Sequence, residues 1–193
     1  MNDKIRYLRE QLKRLNLEGM IVSNPTNVKY LTNIDVDIGT LLITRKENIY
    51  ITHTMYIDEV NNILTINDEV AVMDNKDITK DEFENFFLFC ENVGFEEDYV
   101  TYEGYGKIKQ RYKINNLVET EKLIEKQRMI KDEDEIEKIK IACEITDDCF
   151  SHILKFIKKG MTEKEIAIEI EKFFKLNGAD GVAFDTVVAA RRK

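Results

Sequence analysis

Ile5, Leu8, Leu12 and Leu15 recur at spacings of three and four, and the apolar run MIVS follows them almost at once. Two short β-rich runs, GTLLIT and NIYIT, come next, separated only by the polar turn RKE. A helix with one apolar stripe and strands with apolar faces must bury one another. The order helix, strand, hairpin therefore points to an α/β layer built on a mixed sheet. Gly19 is placed to stop the first helix. NPTNVKYLTN, between the first strand and the hairpin, reads as a turn-rich segment around the single proline, Pro25.

The alternation continues. MYIDEVNNIL sets Ile57, Val60 and Leu64 at helical spacing, and EVAVM reads as the next strand. Thr79 and Glu82 form a capping box, followed by an apolar stripe of Phe83, Phe86, Phe87 and Cys90 that belongs to a core rather than to a cofactor pocket. YVTYEG reads as a strand, YGKIKQRY as a short helix and NNLVET as the last strand of this unit. Residues 1–118 are thus expected to form one α/β domain.

Residues 119–131 are dense in charge and read as a connector, with Leu123, Ile124, Met129 and Ile130 docked and the charges left in water. Residues 132–193 are expected to be a helix, a second helix and a strand. Ile136, Ile139, Cys143, Phe150, Ile153 and Ile157 follow the helical period toward Lys158 and Lys159, cations suited to the negative end of the helix dipole, and Gly160 ends the run. Thr162 and Glu165 form a second capping box; Ile166, Ile170, Phe173 and Phe174 follow, and Gly178 closes the helix. VAFDTVVAA then reads as a strand entering a covered sheet. Two helices and one strand have only one another to cover their apolar sides, so this second piece is an incomplete layer.

With 43% hydrophobic residues in a chain of 193, there is material for a sizeable core. The 37 acids and 29 bases are interleaved and give a net charge of −8, which argues against nucleic-acid or anionic-membrane partners recognised by charge. Arg191, Arg192 and Lys193 are too short a basic run to reverse this. The N-terminus carries no signal-like apolar stretch, and nowhere do about eighteen apolar residues run together, so a soluble cytoplasmic protein is expected. Cys90, Cys143 and Cys149 are odd in number and sit in apolar helical patterns, as reduced packing residues do.

Chemistry-bearing motifs are sparse. His53 falls where a strand gives way to a helix, with Asp58 and Glu59 just downstream, but the spacing matches no ligand pattern. His152 lies inside the long helix without a second histidine at metal-binding spacing. EGYGK lacks the third glycine of a phosphate loop, and no G-x-S-x-G elbow is present. KDEDEIE supplies a helix N-terminus, where carboxylates favour the dipole, and EED is a second acidic cluster. A metal or acid/base role for His53 is conceivable, but none of the numerous carboxylates is poised by a motif.

Three segments, taken in order, resemble the metallopeptidase family of Xaa-Pro dipeptidase (prolidase), Xaa-Pro aminopeptidase and creatinase, which has the pita-bread catalytic fold. SNPTNVKYLTN, residues 23–33, is similar to the family's Asn-x-x-Tyr-Leu-Thr segment after an N-terminal-domain strand. RMIKDEDEIEKIKIACEITD, residues 128–147, resembles its interdomain connector and first catalytic-domain helix, with Arg128, Lys131, Glu135, Ile136, Ile139 and Ala142 at matching places. KKGMTEKEIAIEIEKFFKLNGADGVAFDTVVAA is similar to its Gly-x-Thr-Glu helix, Gly-Ala turn and Phe-Asp-Thr strand.

The resemblance implies a creatinase/prolidase-type N-terminal domain followed by the start of a catalytic domain. In a full-length relative it implies two divalent ions, manganese, cobalt or zinc, that activate a water for attack on a peptide bond. The ligands implied, two Asp, one His and two Glu, all follow the Phe-Asp-Thr strand, so none is expected here and the chain is expected to be truncated and inactive alone. Asp185 is a frequent family residue but not a ligand, and Phe184 is the one residue expected to line a substrate pocket. Homo-oligomerisation through the N-terminal domain is also implied. The alternative is a non-catalytic association module of the same fold, like the pita-bread large subunit of the FACT histone chaperone. The choice among dipeptidase, aminopeptidase and creatinase-like members stays open.

Overall fold

A computed structural model of the protein describes residues 3–64 and 69–190; the Arg191, Arg192 and Lys193 run lies outside the described residues. The chain divides into two compact units, Met1–Ile130 and Lys131–Lys193. The first contains α1 (Asp3–Arg14), β1 (Gly19–Val22), α2 (Pro25–Thr32), β2 (Thr40–Thr44), β3 (Asn48–Thr52), α3 (Thr54–Ile63) and β4 (Val70–Asp74). After these come α4 (Lys80–Asn85), β5 (Asn92–Phe95), α5 (Tyr102–Arg111), β6 (Asn116–Glu119) and α6 (Leu123–Arg128).

The strands form one six-stranded sheet in the order β4-β3-β2-β1-β5-β6. β2 runs antiparallel to both β1 and β3, whereas the β1–β5, β5–β6 and β3–β4 pairs are parallel, so the sheet is mixed as the sequence order implies. Period-two alternation sends the two residue sets to opposite faces. Ile49, Leu42, Ile21 and Phe95 stand in register across four strands. They pack against Phe83, Phe87 and Tyr112 on one face. On the other face Met20, Val22, Leu41, Ile43 and Tyr50 meet Ile5, Leu8 and Leu12 of α1, Val28 and Leu31 of α2, Val60 of α3 and Ile124 of α6. Both faces are covered, which is why these strands read as continuous apolar runs.

One tight approach fixes the hairpin's entry. A Cβ at Gly39 would lie 2.1 Å from the Tyr50 hydroxyl, so only glycine lets the chain cross there. That hydroxyl donates to the Ile38 carbonyl at 3.3 Å, and Thr52 Oγ1 donates to the same oxygen at 2.5 Å.

Several local expectations are corrected. α1 ends at Arg14 and the chain turns at Asn16, with φ 61°, so Leu15 lies past the helix and half exposed. Gly19 begins β1 instead of stopping α1; a Cβ there would sit 2.8 Å from the Ile43 carbonyl oxygen and from the Phe87 ring. NPTNVKYLTN is mostly helix: its turn formers are caps. Asn24 Oδ1 accepts from Thr26 N–H, Pro25 holds the first helical position, and Asn33 closes α2 in the left-handed region. YVTYEG is not a strand, because Thr101 accepts from Gly104 N–H and caps α5, while the strand lies earlier at Asn92–Phe95. The Thr79–Glu82 capping box forms, but α4 stops at Asn85 and the aromatic stripe continues through a turn, where Phe83 and Phe87 pack edge-on to Tyr112. In the 119–131 segment Ile124 is buried and Leu123 packs with the same cluster, whereas Met129 and Ile130 are exposed.

The second unit contains α7 (Glu133–Phe156) and α8 (Glu163–Leu176), opened by capping boxes at Asp132–Glu135 and Thr162–Glu165. Gly160, at φ 97°, takes a conformation suited to glycine in the link between them. Only Cys149 and Ile153 of α7 are buried, and no residue of α8 is; Ile136, Ile139 and Phe150 stay exposed. Cys143 is exposed, Cys90 half-buried, and all three thiols are free. Residues 181–190 make no strand, contrary to the expectation for VAFDTVVAA. A strand exists by pairing, and this unit offers the segment no neighbouring strand among the described residues.

Removing a central core side chain and an exposed one separates these regions. Leu42→Ala is expected to cost about 2–5 kcal/mol in urea unfolding, against under about 0.5 for Leu154→Ala on the exposed side of α7. Burial pushes the phenols of Tyr50 and Tyr112 up to about 12. The neutral forms are favoured in the folded state, so their contribution is complete below the ordinary tyrosine value of about 10 and is lost as pH rises through about 12. An absorbance titration should show both phenolates forming only with alkaline unfolding.

Candidate functional site

β1 and β5 are parallel neighbours and end side by side at Val22 and Phe95. The residues that follow, Ser23–Asn24 on one and Glu96 on the other, form the core of a buried polar cluster. Glu96 is 2% exposed. Its Oε2 accepts from the backbone N–H groups of Ser23 at 2.6 Å and Asn24 at 2.8 Å, and its Oε1 accepts from Asn27 Nδ2 at 2.6 Å. Asn27, fully buried, donates from the same Nδ2 to Glu125 Oε1 at 2.5 Å, while Arg128 Nη1 donates to Asn27 Oδ1 at 3.0 Å.

Burial pushes the Glu96 carboxyl above the usual carboxylate range, against the pull of its hydrogen bonds from Asn27, Asn24 and Ser23; the nearby Glu125 carboxylate pushes the same way. Arg128 supplies the opposite charge. Next to the cluster, Thr120 Oγ1 donates to the Phe95 carbonyl at 2.9 Å and Thr120 N–H donates to Glu97 at 3.0 Å, tying the end of β6 to β5. The NPTN and RMIK segments, far apart in sequence, thus meet through Asn27 and Arg128. With Asn27 and Glu96 buried and their partners partly so, the mutually paired polar groups anchor α6 and present no nucleophile.

As a motif EED, which begins at Glu96, shows only acidity and does not point to this cluster. The available signal was a carboxylate directly after the buried run VGF, where it has to find donors.

The structure does not bring the sequence candidates together in one site. His53 is exposed at the N-cap of α3 and makes no side-chain cap, and Asp58 and Glu59 are exposed on that helix. His152 Nε2 lies 2.9 Å from Glu169 Oε1, and its ring stacks with Phe156 and Phe173 at centroid distances of 6.0 and 5.0 Å. This pair packs α7 on α8, and the hydrogen bond to His152, aided by Lys172, holds Glu169 below the usual carboxylate range. Of the KDEDEIE acids, Asp132 and Glu135 form the α7 capping box, and Glu133 and Asp134 lie in the first turn. Phe184 is 81% exposed, and Asp185 beside it is also exposed, in the unpaired 181–190 segment. Among the described residues no three His, Cys, Asp or Glu side chains converge to hold a metal ion, so no metal-dependent step is derived from them. No helix among the described residues is long and apolar enough to cross a membrane.

Comparison with known proteins gives a consistent result. Residues 4–130 match the Creatinase/Prolidase N-terminal domain, and residues 137–193 match metallopeptidase family M24. The uncharacterized peptidase YqhT of Bacillus subtilis is 31% identical over 97% of this chain and 53% of its own length. The Xaa-Pro dipeptidase structure from Bacillus anthracis superposes with a TM-score of 0.85 at 30% identity, covering 95% of this chain and 51% of that one. The prolidase of Pyrococcus horikoshii gives 0.84 at 26% identity, covering 97% and 52%. The chain spans about half the length of the curated relatives it matches. By the extent of the first match, and by the sheet and helices that carry it, the chain belongs to the creatinase/prolidase N-terminal domain family, followed by a segment of metallopeptidase family M24.

Proposed function

We propose that the chain is the N-terminal portion of an Xaa-Pro-specific peptidase, of the aminopeptidase P or prolidase type, and that it does not hydrolyse Xaa-Pro bonds alone. The observation that carries the reading is the near end-to-end likeness, through both units, to a solved Xaa-Pro dipeptidase of about twice its length. On this reading the complete protein is a cytoplasmic enzyme that uses two divalent ions, manganese, cobalt or zinc, on a proline-containing peptide. The ions' chemistry, activation of a water for attack on the peptide bond, belongs to ligands beyond the Phe-Asp-Thr segment.

The residues in hand have supporting parts. The sheet and its helices supply a folded domain, and the Asn27–Glu96 cluster fixes α6 to it. Phe184, exposed beyond α8, is available to line a substrate pocket once that segment is paired into a sheet. The second reading is a non-catalytic module that associates through its first unit; the exposed apolar side chains of α7, among them Ile136, Ile139, Phe150 and Leu154, call for a covering surface under either reading. Self-association through the N-terminal domain is compatible with either.

The purified chain is expected to release no proline from an Xaa-Pro dipeptide with or without added manganese; manganese-dependent turnover would overturn the inactivity. Sedimentation equilibrium is expected to find an oligomer, and a strict monomer at all concentrations would remove the association reading.

A further inference from the structure

We propose that the exposed stripe of α7 is a docking surface for α7 of a second copy of this chain, the two helices lying antiparallel about a twofold axis beside Thr146 and Asp147. α7 carries two apolar arcs. One holds the buried Cys149 and Ile153, on the turns where His152 stacks on Phe173 of α8. The other holds Ile136, Ile139, Cys143, Phe150, Leu154 and Ile157, all exposed. At about 100° per residue these six fall within an arc of about 60°. A helix that covers a core carries a stripe of about 100° or more, whereas so narrow a seam suits one other helix.

The order of residues along the stripe identifies that helix. Counted outward from the midpoint between Thr146 and Asp147, the apolar positions are the same in both directions: Ile136 answers Ile157, Ile139 answers Leu154, and Cys143 answers Phe150. An antiparallel copy therefore sets apolar side chain against apolar side chain along the whole stripe. It also faces the large Phe150 with the small Cys143, as an interdigitating seam requires.

Charge agrees with the antiparallel sense. The first turn of α7 carries Glu133, Asp134 and Glu135, whereas Lys155 lies in its last turn and Lys158 and Lys159 follow. Antiparallel pairing brings the acidic end of one copy to the basic end of the other and opposes the two helix dipoles. Parallel pairing would bring the acidic ends together. Along one flank of the stripe lie Glu133, Lys140, Glu144 and Asp147, with Lys140 paired to Glu137 at 3.5 Å. A twofold axis brings this flank against itself, so Glu144 and Asp147 face the same acids of the other copy, a repulsion that holds the affinity down. Six side chains a copy make a small interface, for which a dissociation constant of order 10 µM is expected. In dilute solution the stripe faces water. Each stripe is used up by one partner, so the pairing closes at two copies. It lies in the second unit and is separate from any association through the first.

The test is sedimentation equilibrium on the full chain and on variants of exposed residues. Phe150→Glu, which puts a charge into the seam, is expected to weaken the dimer at least about tenfold. Asp147→Asn is expected to tighten it about threefold, because like charges no longer meet at the axis. Asp147→Lys chain mixed with wild type is expected to favour the mixed dimer about fivefold over either parent, a preference that arises only where position 147 meets its own copy. In the wild-type chain, alkylation of Cys143 is expected to slow about fivefold above the dissociation constant, a measurement that stands even if a variant does not fold. An association that Phe150→Glu leaves intact is held by another surface and would overturn this pairing without touching the reading of the first unit. A monomer at all concentrations, Asp147 variants that leave the dimer unchanged, or a Cys143 rate independent of concentration would each overturn it as well.

Discussion

β1 is the strand on which the first unit depends, because it is paired antiparallel to β2 on one edge and parallel to β5 on the other. The antiparallel edge brings in the hairpin and extends the sheet to β3 and β4. The parallel edge requires a long crossover, which runs through everything from α2 to α4, and it sets the ends of β1 and β5 next to each other. From that adjacency come both the two-faced core and the buried Glu96 cluster. If β1 slipped by one residue, Ile21 would leave the face it shares with Leu42 and Phe95, and the donors of Ser23 and Asn24 would miss Glu96.

Much of this was legible in the sequence. The α1 stripe, the hairpin, the capping boxes at Thr79 and Thr162 and the α/β class follow from periodicity and from side chains acting on their own backbone. The same local chemistry is ambiguous at NPTNVKYLTN, whose composition around Pro25 suits a turn although Asn24, Pro25 and Asn33 start and end a helix. At YVTYEG the aromatic and β-branched content favoured a strand, and Thr101 as a cap outweighed it.

What was not legible is whatever depends on residues far apart in the chain. Glu96 meets Ser23, Asn24 and Asn27 at separations of 69 to 73 residues, and Arg128 reaches Asn27 across 101. No periodicity encodes such a contact. The 181–190 segment failed as a strand for a related reason: its apolar alternation describes a face, but a ladder needs a partner that pattern alone does not supply.

The capping boxes of α7 and α8 have a consequence for whatever covers those helices. Their N-termini are satisfied by Asp132, Glu135, Thr162 and Glu165 within each helix's own first turn, so the backbone is ordered without help from a covering layer. A surface met in that state gives up little further chain entropy on burial. More of the free energy from covering Ile136, Ile139 and Phe150 is then retained as affinity, because less is consumed in ordering the helices.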